Sequence, residues 1–196
     1  MTNLTSGVGL LERAIGYALG GLRCVTPELM SGPTPCGEWD LRMLLHHMND
    51  SLTAMHEAID GGSVAVDPLS TADPLSTAAD PVATFRHHAS RVLGAWVGAD
   101  GRDGRDRVVT IAGCPLTATM VAGVGSIEIA VHGWDIYQAC RRPQPIPPTL
   151  AADLLAISAM FVTDDDRPSR FAAPLPVPPT DTPSDRLVAF LGRAPH

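Results

Sequence analysis

One stretch of the chain, residues 124–140, has the composition of a helix that is apolar on nearly every side yet carries three ionisable residues. These are Glu128, His132 and Asp135. At roughly 100° per residue, Glu128 and His132 differ by about 40°, and Asp135 lies about 20° to the other side of Glu128. A helix of this kind is buried, and buried charges are costly unless they are paired or bound to a metal. The stretch therefore predicts an internal helix with a polar site on one narrow face.

Apolar residues recur at helical spacing along most of the remaining sequence, which predicts an all-α fold. Asp40 is a good N-cap for the second helix, and Gly61-Gly62 is expected to end it. Residues 107–111 suit a short strand or an extended connection. The predicted helices comprise residues 10 to about 26, 40–61, about 81–97, 117–140 and about 149–162, with a short helix at 185–192.

The length of 196 residues suits one helical-bundle domain with a C-terminal extension. We assign residues 1–163 to the bundle and residues 164–196 to a Pro-rich extension that packs on it. A direct six-residue repeat spans residues 67–72 and 73–78, which we interpret as a duplicated surface loop because six residues are too few for a solenoid unit.

Charge and cysteine content exclude several classes of function. The formal net charge of -7, with 14 Arg and no Lys, argues against a nucleic-acid partner. No apolar run approaches the ~18 residues of a membrane span, and no signal peptide is visible. The four cysteines form no C-x-x-C pair, so a metal is expected to have nitrogen and oxygen ligands. We expect a cytoplasmic protein, monomeric or homodimeric, that acts on a small molecule.

Adjacent histidines occur on the second helix, and one of them is predicted to face protein. A catalytic metal usually has three protein ligands and an open position, so His47 is the candidate third ligand beside Glu128 and His132. His46 shares its face with a water-facing set: Arg42, Asn49, Asp50 and Thr53. His47 shares its side with apolar or small residues: Met43, Leu44, Ser51, Ala54 and Ala58.

The same residues also allow a site without a metal. Glu128 can pair with His47, or Asp135 with His132, as buried hydrogen-bonded pairs in an ordinary helical core.

Three other residues have alternative interpretations. On the third helix, His87 or His88 can substitute as a metal ligand, although His88 lies on the apolar stripe of that helix, which favours a core position. Cys36 can act as a redox or substrate thiol, but its place in a loop before Trp39 favours packing.

Two motifs resemble a known family. Residues 35–47, PCGEWDLRMLLHH, resemble the start of the second helix in the DinB-like four-helix-bundle superfamily. More narrowly, they resemble the N-terminal domain of mycothiol-dependent maleylpyruvate isomerase, in which P-C-x-x-W precedes a helix with a ligand histidine. Residues 128–135, EIAVHGWD, are similar to the E-x-x-x-H-x-x-D signature of that family. Residues 185–195, DRLVAFLGRAP, resemble the closing motif of a small actinobacterial metal-binding branch.

The resemblance implies a DinB-like four-helix bundle with additional short helices and a divalent metal held by His47, Glu128 and His132. Two imidazoles and a carboxylate suit Zn²⁺ best, with Ni²⁺, Fe²⁺ or Mn²⁺ as alternatives. Such a metal lowers the pKa of a bound thiol or water. Asp135 is the candidate catalytic residue, either orienting the imidazole of His132 or accepting a proton. The alternative is a structural role, in which Asp135 makes a hydrogen bond to a neighbouring helix.

The predicted function is therefore that of a metal-dependent enzyme resembling thiol-dependent S-transferases and isomerases, in which the metal activates a low-molecular-weight thiol, mycothiol, or a water toward a small electrophilic substrate. Two alternatives stay open: a thiol-independent hydrolase or biosynthetic rearrangement enzyme, and a non-catalytic module stabilised by its metal.

Overall fold

The protein is a bundle of helices with a small three-stranded sheet beside it. The computed structural model describes residues 7–37, 39–64, 80–100, 107–111, 113–164, 167 and 171–195. Its helices are α1 (Gly7–Gly21), α2 (Leu41–Gly61), α3 (Pro81–Asp100), α4 (Ala118–Ala139), α5 (Pro148–Phe161) and α6 (Pro183–Phe190). Its strands are β1 (Ser63–Val64), β2 (Val108–Ile111) and β3 (Cys114–Thr117). The mostly helical fold predicted from the sequence is confirmed, with a three-stranded sheet in addition.

Helix α4 is the inner helix of the bundle. It packs along α1, contacts α2 and α5, and is buried over most of its length, as its apolar composition predicts. Helix α2 also packs on α3, so the first four helices enclose one core. Fully buried side chains from each of these four helices meet there, among them Leu11, Leu45, Phe85 and Ile129.

The start and end of α2 follow from local sequence. The Asp40 carboxylate accepts a hydrogen bond from the backbone N–H of Met43 at 2.8 Å, which caps the helix as predicted. Gly62 ends it with a φ of 73°, a left-handed conformation that glycine adopts without strain. Helix α1 ends earlier than its periodicity predicts, because the chain tightens into a 3-10 turn at Leu22–Cys24.

The small sheet lies beside one end of α2. Strand β1 pairs in parallel with β2, which pairs antiparallel with β3. Residues 107–111, predicted as a strand or an extended connection, thus contribute β2. Thr117 then caps α4 directly after β3, accepting a hydrogen bond from the N–H of Met120.

The C-terminal residues pack on the bundle through α6, which contacts α5. Leu187 and Val188 are fully buried, and the Oγ of Ser184 accepts a hydrogen bond from the N–H of Ile146 at 3.0 Å. The division between residues 1–163 and 164–196 stays a prediction. The repeat at residues 67–78 lies outside the described residues.

No helix in the described ranges has both the length and the hydropathy needed to cross a membrane.

Candidate metal centre

Three side chains from two helices converge at one point between α2 and α4. The Nε2 of His47 hydrogen-bonds to Oε1 of Glu128, and the Nε2 of His132 lies 3.0 Å from the same oxygen. One donor atom of each residue lies within 4.8 Å of the donor atoms of the other two. The two imidazole rings are nearly perpendicular, with centroids 5.1 Å apart. The structure thus brings together the three residues that the sequence predicts as ligands.

The three side chains of the trio differ in their exposure to solvent. The side chain of His132 is 7% exposed, whereas those of Glu128 and His47 are 28% and 38% exposed. His132 therefore lies deepest in the protein, and Glu128 and His47 are the two residues of the trio that face solvent. A small molecule can approach the three donor atoms from that side.

Behind His132, two further residues extend the polar group into the protein. The Nδ1 of His132 lies 2.9 Å from Oδ2 of Asp135, whose side chain is fully buried. Arg193 donates to the same oxygen through Nη2 at 2.9 Å. Because an ionised carboxylate only accepts hydrogen bonds, Nδ1 of His132 is protonated, and Nε2 is the nitrogen that faces Glu128.

Burial opposes the charges in this group, and the charged partners outweigh it. For Glu128, the charge of His132 and the hydrogen bonds from His132 and His47 hold the pKa well below its usual range despite burial. For His132, burial is again the largest single influence, but Glu128 and Asp135 raise its pKa to about 9. The pKa of Asp135 is lowered by His132 and Arg193, against burial. In the absence of a metal, the negative charges of Glu128 and Asp135 and the positive charge of His132 between them therefore stabilise one another.

Trp39 forms one side of the site. Its ring centroid lies 4.7 Å from that of His47 and 6.2 Å from that of His132. The residue precedes the N-cap Asp40, so the start of α2 holds the indole against the imidazoles. It is half-buried and lines the same cavity as the trio.

The trio opens into a cavity of about 1280 Å³. Polar groups line its end near the trio, including Cys36 and Arg193. Away from the trio its walls are mainly apolar and come from α2, α4 and the sheet, among them Ala54, Met55, Ile111, Leu116, Val121 and Val124. Asp135 does not line this cavity.

Cys36 belongs to the site but does not have the character of an activated thiol. Its Sγ lies 3.7 Å from Nη2 of Arg193. Burial raises the pKa of this thiol by more than Arg193 lowers it. Reactive cysteines have lowered pKa values, so packing remains the favoured interpretation.

Three predictions about other side chains were wrong. Met43, assigned to the apolar side of α2 that includes His47, is 50% exposed. Asn49, assigned to a water-facing set, is buried, and its amide donates to the backbone oxygens of Leu45 and Pro81 at 2.9 and 3.1 Å. His88, favoured as a core residue, is half-buried and lies 3.3 Å from the hydroxyl of Thr53.

Arg193 was not assigned a role from the sequence, although it falls within a recognised motif. Its side chain is 10% exposed, and it binds Asp135 through both Nε and Nη2. The sequence did indicate that such a partner exists, because a buried carboxylate on an apolar helix, here Asp135, needs a cationic partner. Nothing in sequence spacing indicated that the partner lies 58 residues further along the chain.

Comparisons with known proteins identify relatives of the chain and its family. The chain is 26% identical over 172 residues to two uncharacterized proteins of Mycobacterium tuberculosis, from strains CDC 1551 / Oshkosh and ATCC 25618 / H37Rv, covering 86% of this chain and 87% of each relative. No solved structure matches it significantly. The family described as mycothiol maleylpyruvate isomerase N-terminal domain matches residues 11–137, which include all of the trio. The chain therefore belongs to this DinB-like family.

Proposed function

We propose that the protein is a metal-dependent enzyme in which His47, Glu128 and His132 hold a divalent cation, with Zn²⁺ the best suited. The convergence of these three donors from α2 and α4 at the wall of a cavity carries the proposal. Two imidazoles and a carboxylate, with one position left open, are a common ligand set of catalytic zinc.

The surrounding residues fit such an ion. Because Nδ1 of His132 is bonded to Asp135, Nε2 is free to bind a metal once it has lost its proton. Asp135 is thus a positioning residue, the first of the two roles expected for it. Arg193 in turn fixes the carboxylate of Asp135 and balances its charge in the interior.

When bound, the metal would lower the pKa of a thiol or water in its open position. The family relationship favours a thiol, with mycothiol as cosubstrate, attacking a small electrophile in an S-transfer or isomerisation. Trp39 and the apolar walls would exclude bulk water from the reacting sulfur.

Metal analysis of purified variants tests the ligand set. Protein equilibrated with Zn²⁺ and desalted should hold about one ion per chain, measured by mass spectrometry, whereas His47→Ala should hold almost none. His46→Ala is the matched control, because it removes a neighbouring imidazole that does not line the cavity. Equal zinc content in His47→Ala and His46→Ala would contradict the proposal.

A second experiment tests the reaction. Zinc-loaded protein is incubated with mycothiol and a panel of electrophiles, and both free thiol and electrophile conversion are followed. Net loss of thiol that disappears in His47→Ala and persists in His46→Ala would support S-transfer. Thiol-dependent conversion of the electrophile without net loss of thiol, with the same response to the two variants, would support isomerisation, because the thiol is released again. Turnover of the electrophile in the absence of thiol would indicate that water, and not a thiol, is the nucleophile. Zinc binding without turnover would favour a non-catalytic module.

A further inference from the structure

The cavity walls also indicate which class of molecule the site accepts. We propose that the non-reacting part of the substrate is an uncharged alkyl or aryl group, which lies between α2 and α4 while the reactive head meets the trio. This inference rests on the proposed metal site and adds the chemical class of its substrate.

The apolar part of the cavity extends along both helices. His47 faces Glu128, and the sulfur of Met55 packs so closely on Gly125 that a Cβ there would overlap it. The two helices are therefore antiparallel here, because residue numbers rise along α2 as those of the contacting residues fall along α4. The eight residues from His47 to Met55 correspond to about 12 Å of helix rise. Ala54 and Val124 line this part of the cavity.

Val124 shows that this wall is accessible as well as apolar. This residue is 46% exposed on α4, a helix whose other apolar residues are largely buried. It lies one helical turn before Glu128, within the concave site. An apolar ligand placed here would remove this surface from water, which favours binding.

The charges at the cavity do not suit an acidic tail on the substrate. Among the described residues that line it, Arg193 is the one arginine, and its guanidinium is already occupied. It donates to Asp135, to the backbone oxygen of Leu191 at 3.1 Å and towards Sγ of Cys36. A substrate carboxylate far from the metal would lose its hydration without gaining a cationic partner there.

Hydroxamic acids test this proposal, because their head group chelates zinc and their tail can be varied. Binding to zinc-loaded protein is measured by calorimetry for acetohydroxamate, hexanohydroxamate, octanohydroxamate and benzohydroxamate. A further compound has a carboxylate at the far end of the octanoyl chain. We expect affinity to increase about fourfold per added methylene, and the terminal carboxylate to abolish that gain.

Two variants then locate the tail. Ala54→Phe fills the apolar part of the cavity and should remove the gain from long tails, so that octanohydroxamate binds no more tightly than acetohydroxamate. Ala95→Phe is the matched control, since Ala95 is a half-buried alanine on α3 that does not line the cavity. It should retain the full dependence on chain length.

The outcomes separate this inference from the metal proposal. If acetohydroxamate binds but longer tails add nothing, or if the terminal carboxylate binds best, the apolar substrate class is overturned and the metal site stands. An equal dependence on chain length in Ala54→Phe and Ala95→Phe also overturns it. If acetohydroxamate binds neither protein nor variants, the metal proposal itself fails.

Discussion

At the scale of single residues, the site is organised around His132, which has a carboxylate on each side. Glu128 faces Nε2 and Asp135 binds Nδ1, so the ring is fixed in both tautomer and orientation. Asp135 in turn shares its oxygens with Arg193. Each group in this row has a partner of opposite charge, which makes a buried ionic row tolerable.

Replacing Asp135 by Asn should weaken metal binding without removing a proposed ligand. The neutral amide no longer supports the imidazole as a base, and we expect the dissociation constant for Zn²⁺ to rise about 10- to 100-fold. Competition with a zinc chelator would measure this.

The control is Asp153→Asn, which removes the carboxylate of the half-exposed pair with Arg13 on α1 and should leave zinc affinity unchanged. Equal zinc affinity in both variants would show that Asp135 does not position His132.

Metal binding should release a proton at neutral pH. The pKa of His132 is raised to about 9 in the metal-free protein, so its ring carries a proton at pH 7 that a metal must displace. Calorimetric titration with Zn²⁺ in buffers of different ionisation enthalpy should give about one proton released per ion, and affinity should increase as pH rises towards 9. Zinc binding at pH 7 without proton release would contradict this assignment.

At the scale of elements, the turn after α6 decides where Arg193 lies. Gly192 has a φ of 81°, and the N–H of Arg193 donates to the oxygen of Val188 at 2.9 Å. Such a left-handed residue reverses the chain at the end of a helix. The turn therefore directs Arg193 back towards Asp135 on α4.

Gly192→Ala should destabilise the protein by about 1–3 kcal/mol, because the residue is left-handed and its Cβ would lie 2.6 Å from Cβ of Ala172. Urea denaturation would measure the change. Gly16→Ala is the control: Gly16 is helical, exposed and has open space around it, so alanine should stabilise the protein by about 0.5–1 kcal/mol. Equal effects of both substitutions would mean that the turn imposes no conformational demand.

At the scale of the whole molecule, the candidate site joins parts of the chain that are far apart in sequence. His47 is on α2, Glu128 and His132 are on α4, and Arg193 follows α6. A metal that binds the folded arrangement and not the unfolded chain would stabilise the whole bundle.

Stability should therefore depend on pH in opposite ways with and without zinc. The raised pKa of His132, from 6.5 to about 9, gives stabilisation that is fully present below pH 6.5 and is lost as pH rises through 9. Glu128 and Asp135 have lowered pKa values, so their contribution is present above their usual values of 4.5 and 3.8 and is lost at lower pH.

Thermal unfolding between pH 4 and 9 tests this. Metal-free protein should be most stable between about pH 5 and 6.5, whereas the stabilisation by added Zn²⁺ should grow up to pH 9 because deprotonated His132 binds it. A zinc effect that is independent of pH would contradict this linkage.

The sequence by itself determined the helices, because apolar spacing, the Asp40 cap and Gly62 are local signals. It also indicated that Glu128, His132 and Asp135 share one face, since helix geometry fixes angular positions. The tertiary structure decided which residues meet that face. His47 and Arg193 approach it from distant segments, and the cavity walls combine two helices with a sheet whose pairing local periodicity does not encode. Asn49 lies on a face of α2 with a polar sequence, yet it is buried, because the adjoining α3 provides the backbone oxygen of Pro81 as a hydrogen-bond acceptor.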